Sequence, residues 1–327
     1  MGEVRQPDAV QQRQEIQQVE PEQVEPRFGA EPVLSDVAQH DRLTLVARDL
    51  ACTICSAALT LGDRVLRCPA GHSFDIARQG YASLVVGGRT PKTGDTQEMV
   101  AARAAFLEAE HYERIADHVA LTMPDARRLQ DGSTDGVRAP LVVDIAGGTG
   151  YYLGRILDAR PGWRGFGFDL SPLAARRAAR AHGRAAAATA DAWAPFPLQA
   201  ASVDHLLSIF GPRNGPEMHR VLRPDGLLTV VTPQPGHLAE LRDRLGMIGI
   251  AERKDARLDA QLEGFELRSR DTLDYAVELM PEEVRDEVRM GPSAHHLDED
   301  VFEQAIADLP GYTTVTVAVT LSVFSPV

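Results

Sequence analysis

Hydrophobic and polar positions along the chain follow three different rhythms. Residues 1–41 place few apolar positions among Gln, Glu and Pro, too few to offset the entropy of ordering the chain, and an unfolded leader is expected there. From Arg42 to about Lys92 short apolar pieces sit among Gly and Ala, with a hairpin turn read at Leu61–Asp63 and a strand through Val65–Arg67. Asp95 is expected to open a helix, with Glu98 completing a capping box and Met99, Ala102, Phe106 and Leu107 recurring on one face. A second helical piece runs from about Tyr112 to Leu121, and a polar linker, Asp131–Ala139, follows. From Leu141 onward apolar runs alternate with helical spacing. Strands are read at Leu141–Ile145, Gly165–Asp169, Ala186–Ala190, Val203–Ile209 and Leu227–Thr232, with helices such as Pro172–Gly183 between the early ones. Repeated β-α-β order predicts an α/β fold, a mostly parallel sheet covered on both faces. Thr313–Phe324 alternates β-branched residues and reads as the last strand, while residues 236–312 carry little pattern beyond a strand near Phe265–Ser269. The chain thus divides into a leader at 1–41, a small module at 42–92 and an α/β domain at 93–327.

Composition narrows the class. The 327 residues suit about two domains at roughly 100–200 residues each. Apolar residues at 44% and charged residues at 25% describe an ordinary soluble protein. No run approaches the roughly 18 uninterrupted apolar residues of a membrane span, and the polar N-terminus has no secretory core, so no membrane partner and a cytoplasmic location are expected. A net charge of −13 argues against a nucleic-acid partner only if it is evenly spread. It is not. Residues 1–41 carry nine acids against three Arg, and residues 271–310 twelve acids against two Arg, whereas residues 42–92 carry seven Lys and Arg against three Asp. A phosphate backbone responds to the field within a Debye length of roughly 8–10 Å, so the basic segment remains a candidate RNA surface.

That segment also holds every cysteine of the chain. Cys52, Cys55, Cys68 and His72 follow C-x2-C-x12-C-x3-H, two tight ligand pairs joined by a hairpin, which is the arrangement that tetrahedral Zn²⁺ requires. A disulfide is disfavoured by the odd cysteine count and a reducing compartment. Four protein ligands leave no position for a catalytic water, so the zinc is expected to be structural.

Val143 to Gly150 reads as a strand entering a Gly-rich turn and then a helix. Asp144, Gly148 and Gly150 lie in this turn, Asp169 ends the next strand and Asp191 follows the third. An acid at Asp169 would receive ribose hydroxyls, and Asp191 would reach an adenine amino group. Leu153 stands where a dinucleotide site would need its third Gly. The looser motif suits S-adenosylmethionine, which has no pyrophosphate to seat. Leu222-Arg223-Pro224-Asp225-Gly226-Leu227 reads as a tight turn into the fifth strand, and together these features point to a class I, Rossmann-like methyltransferase sheet behind a small zinc-binding domain. An empty scaffold of the same shape is the alternative.

The ordered motifs Cys68-Pro69, His72-Ser73-Phe74-Asp75, Gly80-Tyr81, Gly94-Asp95-Thr96-x-Glu98-Met99, Ala102-Arg103-x-x-Phe106-Leu107, His111-Tyr112, Asp144 to Tyr152, and Thr232-Pro233 with His237-Leu238 carry a more specific resemblance. From about Leu50 to its end the chain resembles the bacterial 23S ribosomal RNA guanine-N1 methyltransferases, a family that includes actinomycete enzymes of macrolide self-resistance. The resemblance implies cofactor contacts at Tyr112, at Tyr152 and Leu153, and at His237, and a homodimer whose cleft takes an RNA hairpin. From the residues alone, Tyr112 also reads as a packing residue at a helix junction and His237 as loop padding. Two positions depart from the family pattern. Ala146 and Glu110 each stand where Gly is usual; a negative φ at Ala146 would leave binding weakened rather than lost, and Glu110 is expected to shift Tyr112.

The implied reaction moves a methyl group from S-adenosylmethionine to guanine N1, which carries a proton that a carboxylate or carbonyl must help remove. N1 lies on the Watson–Crick edge, so the base must be flipped or unpaired. Phe210-Gly211-Pro212, just past the fourth strand, is the expected base-binding wall, with core packing the alternative for Phe210. Arg64, Arg67, Arg78, Arg89 and Lys92 are the expected RNA grip, whereas Arg176, Arg177 and Arg180 read as a solvated helix face. Rival readings are a small-molecule methyltransferase of a biosynthetic pathway and a non-catalytic homologue that retains zinc and cofactor folds.

Overall fold

The computed structural model describes residues 41–85, 95–125, 139–245, 247 and 261–327. Two turns of 3-10 helix, Arg42–Leu45 and Ala47–Asp49, lead to a three-stranded antiparallel sheet of β1 (Thr60–Gly62), β2 (Val65–Arg67) and β3 (Ser73–Asp75). The first hairpin turn falls later than Leu61–Asp63. Leu61 pairs with Leu66 and Gly62 with Val65, which leaves Asp63-Arg64 as the two-residue turn, with Arg64 left-handed at φ 52°. The next strand, β4 (Ala82–Ser83), pairs in parallel with a strand of the main sheet and forms its edge. Arg89, Lys92 and the leader to residue 40 lie outside the described residues, as does the linker up to residue 138.

Helix α1 (Gln97–Glu108) is capped by Thr96, whose hydroxyl accepts from the Met99 amide. Asp95, expected as its opening residue, sits one position too early and pairs instead with Arg103, two turns along the helix. Helix α2 (Glu113–Thr122) follows, with Tyr112 at its start.

Then come β5 (Leu141–Ile145), α3 (Tyr151–Ala159), β6 (Arg164–Asp169), α4 (Pro172–Ala181), β7 (Ala185–Thr189), β8 (Val203–Ile209), α5 (Gly215–Val221), β9 (Leu222–Pro233), α6 (Ala239–Leu245), β10 (Phe265–Leu279), α7 (Pro281–Met290), α8 (Glu299–Ala307) and β11 (Thr313–Pro326). All five residues of β5 are buried, as a strand covered on both faces demands. The alanines of β7 let α4 approach closely; Ala178 and Ala179 of the helix pack on Ala187 of the strand. Eight strands run in the order β10-β11-β9-β8-β5-β6-β7-β4, with β11 antiparallel to both neighbours and the rest of its partners parallel to each other.

The tight turn expected at Leu222–Leu227 is a wide irregularity within β9. Val203 pairs with Leu222 and His205 with Leu227, so Arg223-Pro224-Asp225-Gly226 loop out of the ladder and the strand starts five residues early. The zinc-ligand segment is not a detached bead. Leu43, Leu50 and Leu66 share a buried cluster with Leu141, Phe166 and Phe196, and buried Asp49 pairs with Arg164 of β6. The described residues from 41 onward form one compact unit.

Candidate functional site

The two knuckles bring Cys52, Cys55, Cys68 and His72 together, with all four ligand atoms within 4.8 Å of one another. Cys55 Sγ lies 3.8 Å from Cys68 Sγ, and His72 Nδ1 lies 3.4 Å from Cys68 Sγ and 3.5 Å from Cys52 Sγ. A tetrahedron with Zn–S about 2.3 Å and Zn–N about 2.0 Å has edges of about 3.8 Å and 3.5 Å, so the spacing fits zinc and is far too long for a disulfide. Arg64, Arg67 and Arg78 are exposed on this segment. Arg176, Arg177 and Arg180 are exposed on α4, as a solvated face would be.

The main site follows from topology. The chain winds outward through β5, β6 and β7, then crosses to β8 and β9, so a crevice opens at the carboxyl ends of β5 and β8. A cleft of about 570 Å³ lies there. Its floor is the turn after β5. A Cβ on Gly147 would stand 2.7 Å from the Asp144 carboxylate, and Gly148 has φ +56°, where a side chain is strained, so the geometry favours glycine at both positions. Asp169 braces the turn, its Oδ2 accepting from the Gly148 amide at 3.0 Å and its Oδ1 from Ser171 at 2.8 Å. Burial raises the pKa of Asp169, and it pushes Asp144 up to about 8, assisted by the Asp169 charge.

The far wall is aromatic. Tyr112 approaches His237 with centroids 5.9 Å apart and Phe210 at 6.2 Å, and Phe210 stacks on His237 at 5.9 Å and 22°. Phe210 is 39% exposed, which places it on the cleft wall rather than in the core. Two non-glycine residues lining the cleft are left-handed, Ala146 at φ 53° and Phe210 at 54°, and so is buried Leu238, which follows His237, at 53°. The φ at Ala146 is therefore positive and not the negative value that would have made alanine easy to accept. The turn needs a left-handed residue there, and Cβ strains it.

Of the residues singled out from the sequence, Tyr112, Asp144, Gly148, Tyr152, Asp169 and His237 line the cleft. Gly150 and Leu153 lie beneath its floor beside Ala178, where Gly150 permits α3 to pack on α4. Asp191 does not line it; its Oδ1 accepts from the Trp193 amide at 2.8 Å and shapes the loop after β7. Sequence reasoning missed Arg103 and Glu287 as site residues. Arg103 stands over Gly148, paired with Asp95 and donating to the Met290 carbonyl at 2.7 Å. Glu287 lies on the buried face of α7 with Val284 and Val288. An acid within that i, i+3, i+4 stripe was the signal available in the sequence.

Asp144 Oδ2, Tyr152 Oη and Glu287 Oε2 are buried without a hydrogen-bond partner among the described residues. Native interiors leave few such atoms, so three around one cleft mark a place for a polar ligand. The Asp144 and Asp169 carboxylates for amines and hydroxyls, a glycine floor for close approach and an aromatic wall suit an adenosine-bearing cofactor.

Strand order with an antiparallel β11 inserted between β9 and β10, a glycine turn after β5 and an acid ending β6 define a class I, Rossmann-like methyltransferase fold, here carrying a zinc ribbon at its N-terminal side. The family described as "RlmA, N-terminal", a zinc ribbon, matches residues 50–85. The 23S rRNA (guanine(748)-N(1))-methyltransferase of Streptomyces fradiae is 45% identical over 283 residues, covering 86% of this chain and 98% of the relative. A protein of Micromonospora griseorubida named for guanine-N1 methylation of 23S rRNA is 47% identical over 288 residues, covering 85% and 97%. A similarly named protein of Bacillus subtilis (strain 168) is 30% identical over 200 residues, covering 59% and 67%. The chain belongs to the 23S rRNA (guanine-N1)-methyltransferase family.

Proposed function

We propose that this protein transfers a methyl group from S-adenosylmethionine to N1 of a guanine in 23S ribosomal RNA, and that the zinc segment, read as 42–92, delivers the RNA to the domain at 93–327. The observation that carries the reading is the cleft itself. A glycine floor with unsatisfied carboxyl and phenol oxygens faces an aromatic wall, in a chain whose relatives are named for this activity. When bound, the cofactor supplies a methyl group already activated on a sulfonium, which leaves positioning and desolvation as the protein's tasks. Asp144, Asp169, Gly148 and Tyr152 would hold it from the sheet side, with Tyr112 and His237 closing over its methionine end. Phe210, exposed beside His237 on the same aromatic wall, would stack on the flipped base. Arg64, Arg67 and Arg78 would grip the backbone around it. A homodimer, forming a cleft for an RNA hairpin, and action in the cytoplasm belong to the same reading; no helix among the described residues is long and apolar enough to cross a membrane.

Incubating purified protein with tritiated cofactor and unmodified 23S rRNA, then mapping the label, tests the proposal. Label at N1 of one guanine is the expected result. Transfer to a small metabolite with none to RNA would establish the biosynthetic alternative, and failure to retain the cofactor would leave a scaffold without chemistry.

A further inference from the structure

Methylation at guanine N1 releases a proton, and a buried carboxylate, Glu287, lines the cleft. Glu287 is 6% exposed and sits at a helix position that would ordinarily carry an apolar residue. Its two oxygens have different surroundings. Oε1 accepts from the Tyr112 hydroxyl at 3.2 Å, whereas Oε2 is buried without a partner among the described residues.

The direction of the attached hydrogen bonds can be assigned from the backbone. His237 Nδ1 accepts from the Ala318 amide at 3.2 Å, so the neutral ring carries its proton on Nε2. Nε2 then donates to the Tyr112 oxygen at 3.3 Å, and Tyr112 in turn donates to Glu287. The chain of donors ends on Glu287 Oε1 and leaves Oε2 without a partner among the described residues, on a side chain that lines the cleft.

We propose that Glu287 accepts the N1 proton of the target guanine, a role that rests on the RNA-methylation reading above. The N1–H bond breaks toward Oε2, and the nitrogen pair forms the bond to the methyl carbon. The sulfur–methyl bond breaks with its electrons going to sulfur as a neutral thioether, and the proton leaves Glu287 to solvent after product release. The same oxygen selects the base. Guanine presents N–H donors at N1 and at its exocyclic amine, whereas adenine N1 and cytosine N3 are acceptors and would face a lone pair.

The surroundings suit the task. Burial lifts Glu287 to about 7, opposed by the Tyr112 hydrogen bond, so the group can both take and release a proton near neutrality. The other titratable and charged groups lining the cleft are Tyr112, Tyr152, His237, Arg103, Arg213, Asp95, Asp144 and Asp169, and on its own helix Glu283 is engaged with His111 at 2.9 Å. Burial and the Asp169 charge raise Asp144 as well, to about 8.

Glu287→Gln keeps the shape and removes the base, and Glu287→Asp keeps the base and shortens its reach. Three quantities are read on folded protein: cofactor affinity by calorimetry without RNA, the single-turnover methylation rate, and its pH profile. Expected for Gln is cofactor affinity within about twofold of wild type, with the rate lowered at least about 100-fold. The wild-type rate should rise with pH through a limb near 7; Asp should keep that limb at a lower rate, and the residual rate of Gln should lack it. A Gln variant that methylates as fast as wild type overturns the role. So does one whose cofactor affinity collapses, because Glu287 would then be an anchor for the cofactor's ammonium. If wild-type protein methylates no RNA, the functional reading itself has failed, an outcome visible before any variant is made.

Discussion

Ala146 shows most directly how a single residue can be visible in a sequence while its consequence is not. Its departure from the family's glycine can be read from the chain, but the sign of φ is set by how the turn must leave β5 to pass over Asp144. Glu110, the other departure, is left-handed as well, at φ 64°. Its carboxylate meets Arg155 at 2.5 Å, but at 58% exposure such a pair contributes little. A left-handed non-glycine residue costs about 1–2 kcal/mol, partly offset by the extra freedom glycine has when unfolded. Ala146→Gly is therefore expected to stabilise the protein by about 1 kcal/mol in urea titrations, with cofactor affinity equal or better. A destabilised variant would show that alanine is not strained at this turn.

At the scale of the element, the zinc ribbon holds its four ligands in turns beside short strands that bury little by themselves, so metal and docking share the task of ordering it. The ligand spacing was legible because each pair lies within four residues, where local geometry decides. The docking was not, since Asp49 reaches Arg164 across 115 positions and β4 pairs with a strand more than 100 residues away. Cys52→Ser is expected to unfold the segment and abolish RNA methylation while cofactor binding survives in part. Because Leu43, Leu50 and Leu66 share their core with Leu141 and Phe166, the loss should also lower the thermal midpoint of the main domain. Full methylation by metal-stripped protein, measured on rRNA, would contradict this. Helix α7 shows the opposite case. Its stripe of Val284, Glu287 and Val288 is local and readable, but whether the acid faces solvent, a salt bridge or a cleft depends on what packs against it.

For the whole molecule, buried titratable groups set how stability responds to pH. Burial, with Arg160 nearby, lowers His205 from 6.5 to about 3, so below about pH 6.5 the unfolded chain binds a proton that the folded one refuses, and stability falls as pH falls. Asp144 and Glu287 are raised from 3.8 and 4.5 to about 8 and about 7, so the folded protein holds two protons that the unfolded chain has released, and stability falls as pH rises. Between about pH 4.5 and 6.5 two groups act against one; above 6.5 His205 no longer opposes them. Without cofactor, the thermal midpoint is thus expected to decline from about pH 5 to 8, most steeply just below pH 7. A midpoint that rises across that range in scanning calorimetry would show that these carboxyls are not held neutral.

The amino-acid sequence by itself determined the zinc ligands, the order and approximate bounds of β5 to β9, and the glycine turn with its flanking acids. Each of these is encoded in residue types a few positions apart, through ligand reach, strand and helix periods, and the special freedom of glycine. The tertiary structure alone decided that Glu287 meets Tyr112 across 175 positions, that Phe210 faces a cleft rather than the core, that Asp191 turns to its own loop, and that the zinc segment lends β4 to the main sheet. These outcomes depend on which distant surfaces pack together, and no local period records the hydrogen bonds and burial that only the assembled sheet brings about.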